Sequence, residues 1–151
     1  MSEKLADIQY NFINLPSRIE FENGHVISYL YDADGIKLRT THIIGSDTTV
    51  TDYCGNVIYE NGIPVKLLTE AGYVTLADSK YHYFVQDHLG NNRVVVDQSG
   101  NVEEVNHYYP FGGLLSSSVS NAVQPYKYNG KELDRKNGLD WYDYGARMYD
   151  A

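Results

Sequence analysis

Residues able to do chemistry are few, and their spacing limits them further. Asp87-His88, with Asp97 further along, sets a carboxylate beside an imidazole, as in a base with its orienting acid or in a metal site. Asp32, Asp34 and Asp97 offer the oxygen ligands that calcium takes, but no Asp-x-Asp-x-Asp-Gly loop with a distal Glu is present. His25, His42, His82 and His107 show no His-x-x-x-His spacing. Cys54 is the sole thiol, and no cation stands near it in sequence to activate a thiolate. No Ser or Cys occupies a recognisable nucleophile setting. The expectation is no catalytic residue, no metal and no cofactor. The carboxylates read as caps of hairpin bends, the histidines as packed or solvated, and Cys54 as a turn or small core residue.

Binding chemistry competes at one further place. Tyr126, Tyr128, Trp141, Tyr142, Tyr144 and Tyr149 crowd the end of the chain. Aromatic faces stack on sugar rings, so this group reads either as a carbohydrate surface or as cross-strand aromatic packing.

Such residues must be positioned by strands. Among 151 residues there are fifteen Tyr against four Phe and one Trp, a bias toward half-buried pleated surfaces. Turn signals recur at Asn23-Gly24, Asp34-Gly35, Cys54-Gly55, Asn61-Gly62, Ser99-Gly100, Asn129-Gly130 and Asn137-Gly138. Pairs of this kind suit two-residue type I′ hairpins, and Gly90-Asn91-Asn92 suits a slightly longer loop. Between them the chain alternates. Ile19 and Phe21 oppose Arg18, Glu20 and Glu22, while Ile27, Tyr29 and Tyr31 oppose Val26, Ser28 and Leu30, giving two largely apolar faces. Ile36 and Leu38 alternate with Lys37 and Arg39, Tyr81, Tyr83 and Val85 with His82, Phe84 and Gln86, and Val94 and Val96 with Arg93 and Asp97. The expected fold is all-β: consecutive antiparallel hairpins with no substantial helix. Lys131–Lys136 reads as a turn or hairpin arm, and 116–124 as a flexible excursion that is not a domain boundary.

Composition excludes several partners. At 42% hydrophobic and 21% charged, the chain is not disordered by composition. A net charge of −8 argues against nucleic acid and against an anionic membrane surface. No apolar run is long enough to span a bilayer, and Met1-Ser2-Glu3-Lys4 does not open a signal peptide.

Internal repetition sharpens the reading. Tyr-x-Tyr occurs at Tyr29, Tyr81, Tyr126 and Tyr142, and the first copy continues through Asp32 to Gly35 as Tyr-x-Tyr-Asp-x-x-Gly. Two tyrosines on one face can pack while Asp bonds turn amides and Gly supplies the corner. This heptapeptide resembles the YD repeat of RHS/YD-repeat proteins. Asp87-His88-Leu89-Gly90-Asn91-Asn92-Arg93-Val94-Val95 resembles the family's Asp-His-Leu-Gly-x-x-Arg-x-Val signature. Tyr109-Pro110-Phe111-Gly112 resembles its Asp-Pro-Phe-Gly element, with Tyr in place of the commoner Asp. Gly130, Lys131 and Glu132, then Gly138-Leu139, then Tyr144-Gly145-Ala146-Arg147-Met148-Tyr149-Asp150, resemble the rest of the RHS-repeat-associated core domain. On this resemblance, 1–79 are YD-type hairpin repeats and 80–151 the core region, continuous with them.

The resemblance implies a β-strip that spirals into a shell around a C-terminal toxin or effector. The partner would be the remainder of the same polypeptide, within a larger secreted or cell-surface bacterial protein. It favours packing over sugar binding for the terminal aromatics. Two departures matter: the chain is too short to wind a closed shell, and it stops at Tyr149-Asp150-Ala151, before the family's Asp-Pro-x-Gly motif. It is expected to be a piece of a longer polypeptide. Asp150 is then an orphan of the family's aspartyl autoprotease, which needs paired carboxylates, and no self-cleavage is expected. Unpaired strand edges lead to an expectation of self-association. A surface adhesion or glycan-binding module is the alternative, and a remnant of the autoprotease a second one.

Overall fold

Each tight turn lays the chain back beside itself, so strands pair in the order in which they are written. The computed structural model describes residues 4–116, 118 and 124–151. Its large sheet runs β1 (Leu5–Tyr10), β2 (Pro16–Phe21), β3 (Val26–Tyr31), β4 (Lys37–Ile44), β5 (Asp47–Cys54), β6 (Val57–Glu60), β7 (Ile63–Thr69), β8 (Gly72–Thr75), β9 (Lys80–Gln86), β10 (Asn92–Asp97) and β11 (Val102–Val105). All neighbours are antiparallel, the order is sequential, and the sheet is not closed into a barrel. A second sheet of three strands follows: β12 (Glu132–Asp134), β13 (Trp141–Asp143) and β14 (Met148–Asp150). The only helical geometry among the described residues is 3-10, at Tyr128–Gly130 and Lys136–Gly138.

One bend recurs. At Phe21–His25, Asp32–Ile36, Asp87–Asn91, Asp97–Asn101 and Tyr109–Gly113 the first residue's N–H donates to the last residue's C=O. In each, a glycine N–H donates back to the first residue's C=O. Where Asp leads, its Oδ1 also accepts two turn amides at 2.8–3.1 Å: Asp34 and Ile36 on Asp32, Leu89 and Asn91 on Asp87, Ser99 and Asn101 on Asp97. Only the glycine has positive φ, so Asn23-Gly24, Asp34-Gly35 and Ser99-Gly100 are three-residue loops, not type I′ pairs. At Asp34-Gly35 and Ser99-Gly100 the carboxylate cap explains the change, since it rewards a loop wide enough to bring two amides onto one oxygen; at Asn23-Gly24 the Asn23 Oδ1 accepts the His25 amide at 3.0 Å instead. Asn61-Gly62 does form the expected two-residue turn, with φ of 50° and 81° between Glu60 and Ile63.

Ile19 and Ile27 face each other across β2 and β3, both fully buried, and with Phe21, Tyr29 and Leu139 they form the core cluster. Burying each such side chain contributes about 1.5–3 kcal/mol. Ile8, Tyr31, Trp141 and Met148 pack against it. The small sheet therefore lies on the inner face of the strip.

Two alternating runs turn their apolar side outward. Ile36 (61%) and Leu38 (39%) are exposed while Lys37 is covered; Tyr81 (51%), Tyr83 and Val85 (50%) are exposed while His82 is buried. Leu30 is likewise exposed, while Val26 on the same face of β3 is buried. At Lys37 the inner face takes a polar group because it receives the small sheet, whereas His82 is buried against Tyr73, Thr75 and Glu103 of the large sheet itself. Most of the proposed excursion over 116–124 lies outside the described residues.

Candidate functional site

The two sheets meet across a seam in which one side donates and the other accepts. An irregularity between Leu30, opposite Arg39, and Tyr31, opposite Lys37, turns Lys37 onto the inner face. Its Nζ lies 2.6 Å from Glu132 Oε2 and 2.6 Å from Asp143 Oδ2. Tyr53 donates its hydroxyl to Glu132 Oε1 at 2.7 Å. His42 Nε2 donates to Asp134 Oδ2 at 2.9 Å, and the Tyr29 hydroxyl reaches the same oxygen at 3.2 Å. Every donor belongs to β3–β5 and every acceptor to β12 or β13.

Charge is held firmly here. Burial alone would depress the Lys37 ammonium, but Glu132 and Asp143 overcome it and raise its pKa above the ordinary lysine value. Burial likewise works against the Asp134 carboxylate, yet His42, the Lys136 amide and Lys37 hold it below the usual range. Burial first, and the carboxylates second, push the Tyr29 and Tyr53 phenols well up. A buried pair of this kind contributes little net stability, whereas removing one partner is costly.

A second seam joins the other end of the strip to residues 124–129. Glu104 Oε1 accepts from Asn106, from Gln124 Nε2 at 2.7 Å and from Lys127 Nζ, and the Glu104 and Lys127 side chains are each 3% exposed. Burial pulls the Lys127 ammonium down despite its carboxylate. Asn92 Nδ2 donates to Tyr126 O at 2.7 Å, and the Asn129 amide donates to Asn91 Oδ1 at 2.8 Å. Between the seams runs a cleft of about 640 Å³ lined by His42, Tyr53, Lys66, Tyr126 and Asp134 among others.

The residues singled out in sequence occupy structural positions around these seams. Both Asp87 oxygens serve their own loop, one of them accepting Asn91 Nδ2 at 2.8 Å, while His88 and Leu89 are exposed. That loop receives Asn129 Nδ2 on Leu89 O, beside Gly130. The Arg93 guanidinium lies over the Tyr108 ring at 5.6 Å. Pro110, Phe111 and Gly112 present three carbonyls that accept the hydroxyls of Tyr128, Tyr149 and Tyr142. Lys131 lies over the Tyr144 ring, and Gly145 donates its amide to Asp143 Oδ1. Gly138 closes a turn before the buried Leu139, and Ala146 and Arg147 are exposed. Asp150 is exposed on β14, opposite Trp141, and Cys54 is an exposed free thiol. Among the described residues no group of three His, Cys, Asp or Glu is placed to hold a metal.

Sequence reasoning missed Lys37, His42, Asp134 and Asp143 as a set, because each looks like an isolated surface charge. It also missed His82, whose Nδ1 lies 2.6 Å from Glu103 and whose Nε2 lies 3.2 Å from Thr75 Oγ1. This imidazole stacks on Tyr73 with centroids 4.4 Å apart. Its order resembles a nucleophile, base and acid, but the Thr75 hydroxyl donates to Asp78, which ties down its proton.

An open strip of consecutive hairpins, clamped by carboxylates to a small inner sheet, is the architecture these contacts define. No protein-family model matches the sequence, and no curated protein does. Solved structures do. The chain is similar to one in the Photorhabdus luminescens Tc holotoxin pore carrying a TccC3 mutation, with a TM-score of 0.76 and 18% identity over 95% of this chain and 8% of that one. It is similar to TcdB2-TccC3, with a TM-score of 0.75 and 17% identity over 99% of this chain and 9% of the other. It is also similar to TcdB2-TccC3 without its hypervariable C-terminal region, at 0.74 and 18% over 99% and 8%. The fold is therefore of the RHS type, and the chain spans less than a tenth of those chains.

Proposed function

We propose that this chain is a non-enzymatic structural module of an RHS-type β-shell that sequesters a C-terminal toxin or effector segment. The observation that carries the reading is the donor–acceptor seam, which spends its charged groups on holding the terminal sheet against the inner face of the strip. The likeness to toxin-complex chains over nearly the whole of this one supports it. In this reading 1–79 are wall and 80–151 the closing region, the partner is the remainder of the same polypeptide, and the parent is a secreted or surface bacterial protein.

The test is limited proteolysis of the polypeptide that carries this segment. A downstream cargo that resists protease until Lys37 is substituted supports the reading. A cargo digested equally fast with Lys37 intact overturns it. The absence of self-cleavage is tested by intact mass after storage at about pH 5, where a carboxylate pair shares a proton; any loss of mass reverses that part.

A further inference from the structure

Cross-strand partners point to the same side of a sheet, so the registers of β7–β11 define a face. Tyr83 stands opposite Val96 and Val96 opposite Val102, while Val85 stands opposite Val94. Tyr81 continues the row through Val74 to Leu67. These side chains point away from the small sheet, all are uncharged, and Tyr81, Tyr83, Val85 and Val102 are exposed. The opposite side of β9–β11 buries polar groups beside Val95, with His82 on Glu103 and Glu104 on Lys127. Apolar area that a lone sheet would turn inward is here turned to solvent.

The face is large enough to matter. Five strands about 4.8 Å apart, with outward residues about 6.8 Å apart along each, give a footprint of about 400 Å². An exposed apolar patch of that scale marks a contact surface. Two such faces together bury about 800 Å², below the range of stable complexes, so the contact is weak and reversible.

Charge and relief select the occupant. Outward residues without charge give a basic or acidic partner nothing to pair with, and a second copy meets them without burying an ion. Tyr81 and Tyr83 stack with centroids 6.5 Å apart and planes 16° apart, which raises a ridge along β9. Beside it β10 and β11 present the smaller Val94, Val96 and Val102, which form a trough. A two-fold axis between ridge and trough seats each ridge in the other copy's trough, the self-complementarity that an isologous contact requires.

We propose that the outer face of β7–β11 is the surface through which two copies of this chain associate, Tyr81 and Tyr83 of each packing on Val94, Val96 and Val102 of the other. The contact uses a sheet face and leaves the strand edges free, and it stands independently of any encapsulating role.

Sedimentation equilibrium of the whole chain tests it. Monomer and dimer should interconvert with a Kd of about 0.1 mM. Salt screens the repulsion between two chains of net charge −8, so raising it from about 0.02 M to about 0.5 M should tighten association about threefold. Tyr81→Lys on the ridge and Val102→Glu in the trough should each weaken association by about tenfold or more, since each buries a charge. Both positions are more than half exposed, and far-ultraviolet dichroism checks the fold. Mixed together, the two variants should associate more tightly than either does alone, because the introduced ammonium of one copy faces the introduced carboxylate of the other. A chain that stays monomeric well above the expected Kd, or association that weakens with salt, would overturn the assignment. So would association that survives both substitutions, as pairing through strand edges would. Flotation of the parent chain with phosphatidylcholine vesicles, abolished by Tyr81→Lys, would give the face to lipid instead.

Discussion

The ammonium of Lys37 lies 2.6 Å from the carboxylate of Glu132, across a separation of 95 residues in sequence. Substituting Lys37 by Met leaves Glu132 and Asp143 facing each other with their cation removed. Loss of about 3–5 kcal/mol is expected from an uncompensated buried charge, read as a lower urea midpoint. The double variant Lys37→Met, Glu132→Gln should recover part of it, because the two changes share one interaction.

Acid should loosen the same seam. The Asp134 carboxylate has a folded pKa below its unfolded value, so its contribution is fully present above about pH 4. It is lost as pH falls through the lower folded value. Trp141, the single tryptophan, lies between the sheets and reports on this opening. Its emission should move to longer wavelength on acidification, and Asp134→Asn should flatten that response. An emission unchanged until global unfolding would refute the mechanism.

Base should act through the phenols. Burial leads the rise in pKa at Tyr29, Tyr53, Tyr108 and Tyr142. A raised folded value means the stabilisation is complete below the unfolded value of about 10 and is lost as pH rises toward the folded one. An ultraviolet titration of phenolate should therefore have two phases. Exposed tyrosines ionise first, and the buried set ionises together with loss of the β dichroism signal.

Glu104→Gln strands the Lys127 ammonium in a site where it is 3% exposed. A loss of about 3 kcal/mol or more is expected, and Lys127→Met in the same background should restore part of it. Urea titrations of the parent and the two variants decide this. A Glu104→Gln chain as stable as the parent would show that Lys127 is already neutral there.

Gly112 leaves no room for a side chain. A Cβ there would stand 2.7 Å from the Tyr128 ring, and its φ of 97° disfavours any L-residue. Gly112→Ala should cost about 1–3 kcal/mol by overpacking. It should also disturb the Tyr142 hydroxyl bond to Gly112 O, seen as altered tyrosine signals in near-ultraviolet dichroism.

Local features were legible in the sequence and remote ones were not. Asp32, Asp87 and Asp97, each three residues before a glycine, announced capped hairpins because cap and corner lie within one turn. Ile19, Phe21, Ile27 and Tyr29 announced the core by alternation. Lys37 and His82 misled, since an inward polar residue inverts the usual pattern wherever a partner meets it: Glu132 and Asp143 of the second layer for Lys37, Glu103 and Thr75 of the same sheet for His82. The donors of the seam lie 79–106 residues from their acceptors, and no period in the chain records that distance. Trp141 was grouped with its aromatic neighbours because spacing does not reveal which side of β13 meets the strip.

In the sequential order of β1–β11, each strand lies beside the one made just before it. Such a sheet can grow by accretion as the chain emerges, each hairpin templated on the last, with little loop closure to wait for. The Lys37, His42 and Glu104 contacts then form only when β12, β13 and the residues before them arrive, so the clamp closes after the wall is laid down. A hairpin inserted or lost in the middle would shift the span of the wall without rewriting its neighbours, which leaves such a strip free to lengthen over evolutionary time.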